Sequence, residues 1–291
     1  MKDRRVVASL QLAAAALLFS TGGAAIKATT LTASQTAAGR SAIAAILLIL
    51  VIPEARRRWT FATLVAALAF GGTLTLFVHA TKMTTAANAI FLQSTSPLYL
   101  LAIGPLLLKE RLKRIDLWMG LLMAAGMAFF MLGQTPAQSS APNPVAGNLL
   151  ALASGLTWAL TVTGIRYMAR EEGGSALPVV VLGNLLAFAF ALPGAGALSL
   201  PSLHDAAILL YLGCFQVGLA YWFLNRGLRH VPVFQAALIL MLEPVSNPIW
   251  TWLVHGERVG VWAACGAAAI CAGIGVHALS GQEEPDPVPP D

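Results

Sequence analysis

Two stretches decide the architecture: PLYLLAIGPLLLKER at 97–111 and PVSNPIWTWLVHGER at 244–258. Each opens with a proline inside an apolar run and closes, thirteen residues on, with Glu-Arg. Laying the first on the second brings Pro97 onto Pro244, Glu110 onto Glu257 and Arg111 onto Arg258. The same gapless register brings Gly71 onto Gly218, Lys82 onto Arg229 and Gly126 onto Gly273. Single coincidences mean little in so biased a composition, but six in one register indicate an internal duplication. The opening helices of the two halves correspond more loosely, with Phe19, Ile26 and Lys27 against Trp158, Ile165 and Arg166.

The runs around both stretches need lipid as their solvent. Of 291 residues, 57% are hydrophobic and 11% charged, where a soluble domain carries about 25% charged residues. The mean hydropathy is +0.74. Too few charges remain to solvate a surface of this size, which excludes a soluble enzyme, a disordered regulator and a nucleic-acid binder. Apolar runs long enough to cross a bilayer lie near 6–27, 33–52, 60–81, 86–108, 114–133, 145–168, 176–196, 205–227, 232–253 and 260–280. Lipid satisfies no free backbone N–H or C=O, so spans are helices or closed barrels. These runs lack the alternation of barrel strands. The predicted fold is therefore an all-α polytopic membrane protein of ten transmembrane helices. Five spans per half is an odd number, so the second half enters the bilayer from the opposite side. The expected result is two inverted five-helix repeats around a central cavity, an arrangement found in secondary transporters.

The divisions follow from composition. Residues 1–5 form a cytoplasmic N-terminus, 6–133 the first repeat, 134–144 (QTPAQSSAPNP) an external linker, and 145–280 the second repeat. Residues 281–291 (GQEEPDPVPPD) form an acidic, Pro-rich tail expected to be disordered. Lys2, Arg4 and Arg5 before an apolar run resemble a secretory signal. The run is longer than a signal core and has a counterpart in the second half, so retention is expected. With both termini in the cytoplasm, 14 of the 18 Lys and Arg fall on the inner side, as the positive-inside rule requires. The pI of 9.4 is thus mostly a topology signal. Cys214, Cys265 and Cys271 fall inside spans without metal-ligand spacing and read as buried spectators.

With the paired Pro…Glu-Arg ends of helices four and nine, Arg40 in helix two and Trp158 in helix six, the chain resembles the drug/metabolite transporter superfamily, specifically its ten-helix EamA-type exporters. It departs from that pattern at Phe19, where such exporters often carry Trp. Within the superfamily it looks most like YddG-type exporters of aromatic and related amino acids. The resemblance covers about residues 6–280 and implies a bacterial inner-membrane protein. It also implies a cavity lined by helices 1, 3, 4, 6, 8 and 9, with helices 5 and 10 peripheral.

Several residues could carry the work. Pro97 and Pro244 each remove a mid-helix hydrogen bond and free a carbonyl, for a kink, a gate or a ligand. Glu243 is the only acid well inside a span. An acid at the helix centre costs about 2.5–3.5 kcal/mol on insertion scales, so Glu243 should face the cavity or a partner such as Arg40. Arg40 either snorkels to the outer surface or pairs internally. Glu110, Arg111, Glu257 and Arg258 are candidate rim ion pairs at opposite faces. His79, Gln93, Tyr99, Trp158, Tyr221 and Asn225 are candidates for the cavity wall, where aromatic faces suit apolar solutes and cations. Trp222 is a further aromatic candidate, while Trp59, Trp118 and Trp262 near span ends suit interfacial anchoring.

No catalytic residue set, metal cluster or Walker P-loop stands in the sequence, and no cofactor is expected. The expected partners are the lipid bilayer and a small-molecule substrate, an amino acid, with no nucleic acid. A monomer suffices for this reading, and the sequence sets no oligomeric state. The expected function is secondary export of aromatic or other apolar amino acids and related metabolites by alternating access. A drug or organic-cation exporter is the alternative within the superfamily. A receptor or scaffold subunit without transport is the alternative from another class, and the short connections weigh against it.

Overall fold

The structure, a computed structural model, describes residues 2–56, 59–103, 114–132, 139–172, 176–196, 201–228, 231, 236 and 239–280. No strand occurs among them. Helices α1 (Lys2–Ser20) and α2 (Gly22–Ala28) make one span broken at Thr21. Next come α3 (Ala33–Val51) and α4 (Phe61–Met83). A second broken span consists of α5 (Ala86–Gln93) and α6 (Ser96–Ile103). Helices α7 (Arg114–Leu132), α8 (Pro144–Glu172) and α9 (Leu177–Ala195) follow. A longer rod is built from α10 (Leu203–Leu210), a π-helix (Tyr211–Leu219) and α11 (Ala220–Gly227). Helices α12 (Leu242–His255) and α13 (Val261–Ser280) complete the chain.

Among the described residues seven helical segments are long and apolar enough to cross a membrane, from Val6–Ala28 to Leu203–Gly227. The protein is therefore an all-helical, multi-pass membrane protein. Of the ten expected runs, those near 114–133, 232–253 and 260–280 are not among the seven. They coincide with α7, α12 and α13. Within the described residues the apolar parts of α7 and α13 are Leu117–Phe130 and Val261–Gly273. Helix α12 starts at Leu242, carries Glu243 and contains Pro248. Much of the sequence just before it, 232–235 and 237–238, lies outside the described residues, as does most of 134–144.

Local chemistry sets where the helices begin. Thr32 and Thr60 each cap the following helix in a reciprocal box with the residue three positions on, Gln35 and Thr63. Thr85 accepts from the Asn88 amide and Ser202 from the Asp205 amide. At Pro97 the missing N–H leaves the Gln93 carbonyl without its helical donor, and the chain turns at Ser94–Thr95 between α5 and α6. The freed carbonyl lies against Gly155 of α8, where a Cβ would stand 3.0 Å away. A turn at Met241 likewise precedes Pro244. The π-helix is a departure that no pattern in the sequence announced. Its glycines let α3 approach closely: a Cβ on Gly213 would stand 2.6 Å from Ile43 and one on Gly218 2.8 Å from Leu47.

Helix α4 packs against α8 and α9, α3 against α9 and the π-helix, and α1 against α11 and α12. Helices α7 and α13 pack mainly on each other. That last contact is reciprocal. Gly126 lies against Gly266 and Ile270, and Gly273 lies against Met119 and Leu122. A Cβ on Gly126 would stand 2.6 Å from Ile270 and 2.8 Å from the Gly266 carbonyl oxygen. Gly126→Val therefore overpacks the α7–α13 seam, at a cost of about 1–3 kcal/mol. The check is thermal unfolding in detergent, where an unchanged midpoint would mean the two helices do not touch here.

Large apolar side chains such as Phe61, Leu203 and Val261 point outward, as lipid contact allows. Trp59, Trp118 and Trp262 are exposed, in keeping with interfacial positions. The cysteines differ from expectation: Cys265 is exposed and Cys214 and Cys271 are half-buried. In a protein solvated by lipid, a thiol gains little from burial.

Candidate substrate site

A cavity of about 310 Å³ lies among the helices of both halves of the chain. Its wall takes Phe19 from α1, Thr73, Leu74 and Phe77 from α4, and Trp158 from α8. Gln93, Ser94, Ser96 and Pro97 come from the break between α5 and α6. Gln216 and Tyr221 come from the π-helix and α11, and Met241, Glu243 and Pro244 from the start of α12. Helix α3 adds one residue, Arg40, which the expected set of lining helices had left out.

The two charged residues define the chemistry. Arg40 is buried, so it does not snorkel to the surface; one terminal nitrogen donates to the Leu74 carbonyl at 2.9 Å. Its Nε has no partner among the described residues. Glu243 has no hydrogen bond or ion pair with any described residue: of its two expected places it takes the cavity wall and not a pairing with Arg40. Tyr221 lines the same cavity as both. Its ring is fixed edge-on by Phe19 at 4.9 Å and by Phe70 at 5.2 Å. Phe70 also leans on Trp158, at 6.1 Å. Gln93 is held by its amide nitrogen to Ser154 at 2.7 Å, and Ser154 donates to the Thr73 carbonyl.

Three expected wall residues stand elsewhere. The Tyr99 hydroxyl donates to the Leu152 carbonyl at 3.1 Å and ties α6 to α8. His79 is bound between Ser34, 3.1 Å from Nε2, and the Thr75 carbonyl, 2.9 Å from Nδ1. Asn225 is half-buried on α11 outside the cavity lining. Each lies on a wall-forming helix but on a different side of it. Trp222 stacks under the Arg226 guanidinium at 4.3 Å instead.

One rim of the molecule carries a polar cluster. Glu257 pairs with Lys27 at 2.8 Å rather than with its neighbour Arg258, which is exposed. Both side chains of the pair are nearly inaccessible, at 5% and 6%. Gly256, at φ 67, ends α12 in the left-handed region, and the Glu257 amide reaches back to the Thr251 carbonyl at 3.4 Å. Glu257 also accepts from the Ala86 amide, at the start of α5. Lys27 donates to the Thr84 carbonyl at 2.9 Å and to the Ser140 carbonyl. Beside it, Lys82 donates to Thr29, and Asp205 accepts from the Thr30 amide and hydroxyl. The candidate pair at the other rim, Glu110 and Arg111, lies outside the described residues. Reading residue by residue missed this cluster; Lys27 and Lys82 near span ends on the side otherwise poor in basic residues were the available signal. Among the described residues no group of three His, Cys, Asp or Glu is placed to hold a metal.

A helical membrane protein with an internal charged and aromatic cavity is built as a solute carrier. The chain belongs to the EamA-like transporter family, whose profile matches residues 7–132 and 145–278. It is 25% identical over 218 residues to the uncharacterized transporter YetK of Bacillus subtilis (strain 168), covering 73% of this chain. The chain spans 65% of that relative's length. A solved structure described as "Crystal structure of protein" matches with TM-score 0.65 and 20% identity, over 96% of this chain and 100% of that one. At that identity the likeness is one of fold. Members of the family are membrane transporters rather than enzymes: they sit in the lipid bilayer and bind small-molecule substrates.

Proposed function

We propose that the protein is a secondary exporter of amino acids, aromatic or otherwise apolar, and related small metabolites, working by alternating access between two inverted five-helix halves. The observation that carries this reading is the cavity, whose wall is shared by both halves and combines one cation, one anion and several aromatic rings. The reciprocal α7–α13 contact supports the inversion. Residue i meeting j while the repeat-mate of j meets the repeat-mate of i is the mark of a two-fold axis. The two matched blocks of the family profile support the same division.

In this reading the termini are cytoplasmic and the membrane is the bacterial inner membrane. The rim carrying Lys27 and Glu257 is then external. Lys27 lies eight residues beyond Phe19 on the same span, about 12 Å further along a helix. The pair thus holds the external side together while the cavity waits for a cytoplasmic solute. Glu243 and the aromatics also suit an organic cation, but Arg40 in the same wall opposes a lone positive charge.

Purified protein in vesicles, preloaded with an unlabelled solute, should exchange labelled phenylalanine or leucine by counterflow. Repeating the assay with and without a proton gradient separates coupled from passive movement. Exchange of lipophilic cations in place of amino acids would reassign the substrate.

A further inference from the structure

We infer that Arg40 and Glu243 form a split clamp for a zwitterion, Arg40 taking the carboxylate and Glu243 the ammonium of one α-amino acid. The inference rests on the carrier reading above and specifies its site. Both charges line one cavity, and no ion pair joins them. Arg40 is buried and Glu243 half-buried, and a charge taken out of water without a counterion is costly, so each group has unspent capacity for an opposite charge. Among the described residues the Arg40 Nε has no partner and its guanidinium keeps only the bond to Leu74. A guanidinium is suited to grip a carboxylate through two parallel N–H groups.

Tyr221 lines the cavity with both groups, its ring fixed by Phe19 and Phe70. A solute that carries an ammonium and a carboxylate on one carbon satisfies the two sides at once. A lone amine leaves Arg40 desolvated and unmatched, and a lone acid does the same to Glu243. Phe19, Phe77 and Trp158 in the same wall offer apolar surface to the side chain. A site built to bind a polar group rejects the analogue that lacks it strongly, because its own groups are left unpaired.

The test is counterflow of labelled phenylalanine by the wild-type protein in vesicles, competed with phenylalanine, phenethylamine and 3-phenylpropionate. A parallel series uses leucine, isoamylamine and 4-methylpentanoate. The zwitterions should compete at least tenfold better than either truncated analogue. Glu243→Gln should lower phenylalanine flux at least tenfold and shift preference toward 3-phenylpropionate. Arg40→Gln should lower it equally and shift preference toward phenethylamine. A merely structural role moves flux without reversing the order of the analogues. Amines competing as well as amino acids in the wild type would overturn the clamp and leave the carrier reading standing. Loss of flux in both variants with the analogue order unchanged would also overturn it. No counterflow of any solute by well-folded wild type would overturn both readings.

Discussion

Glu257→Ala should destabilise the protein by about 3–5 kcal/mol, the cost of leaving a buried charge without its partner. Lys27 would keep its two carbonyl acceptors, Thr84 and Ser140, but lose its counterion among the described residues. The Ala86 amide at the start of α5 would lose its acceptor too, and with it a negative charge placed favourably at a helix N-terminus. The pair's side-chain exposure of 5% and 6% means that water cannot cheaply replace either function. Replacing both partners tells the contributions apart. Lys27→Met with Glu257→Leu should be far milder than either single change, since a buried pair is often exchanged for apolar side chains at no loss. Thermal unfolding in detergent, at fixed protein and lipid concentration, reads the difference. A drop below 1 kcal/mol for Glu257→Ala, as for an exposed pair, would mean that the rim is open to water.

Gly147→Val should be nearly as damaging, by a steric route. Gly147 lies in the first turns of α8, where α8 crosses the turn between α4 and α5. A Cβ there would stand 2.6 Å from the Thr84 backbone nitrogen, 2.7 Å from Thr84 Cβ and 2.9 Å from the Met83 carbonyl carbon. Two of those atoms are backbone and cannot rotate aside. The neighbouring bonds tighten the site: Thr84 donates to Asn148 at 2.7 Å, and the Asn143 amide donates to the Met83 carbonyl at 3.1 Å. The chain must move as a block, at about 1–3 kcal/mol for overpacking, and Thr84 takes its contact with Lys27 along. Gly147→Ala should show a smaller shift in the same direction. If Val is accepted without loss of unfolding midpoint or of phenylalanine counterflow, α8 does not cross at this point.

How far the residues spoke for themselves differs between the axis of each helix and its rotation. Hydropathy located the apolar runs, and the register from Pro97 to Pro244 and Gly126 to Gly273 marked the two halves. Pro97 marked the place where its span breaks. Six of the nine residues expected at the cavity or its kinks do line it: Gln93, Trp158, Tyr221, Glu243, Pro97 and Pro244. Tyr99, His79 and Asn225 were on suitable helices and turned elsewhere.

The cause is the solvent. In water, the apolar stripe of a helix shows which side faces the core. In lipid both sides are apolar, so Leu12 is fully buried while Leu10, two residues away, is 64% exposed. Amino-acid type alone therefore decided that the chain is helical and membrane-bound, because the cost of unsatisfied backbone groups and of charge in lipid depends on composition along the chain, and it supplied the register on which the proposed duplication rests. Which side each helix turns inward was left to packing. Glycine contacts such as Gly213 on Ile43 and Gly155 on the Gln93 carbonyl set those rotations. Only with them in place does Arg40 share a cavity with Glu243, and Lys27 meet Glu257 from the far end of the sequence.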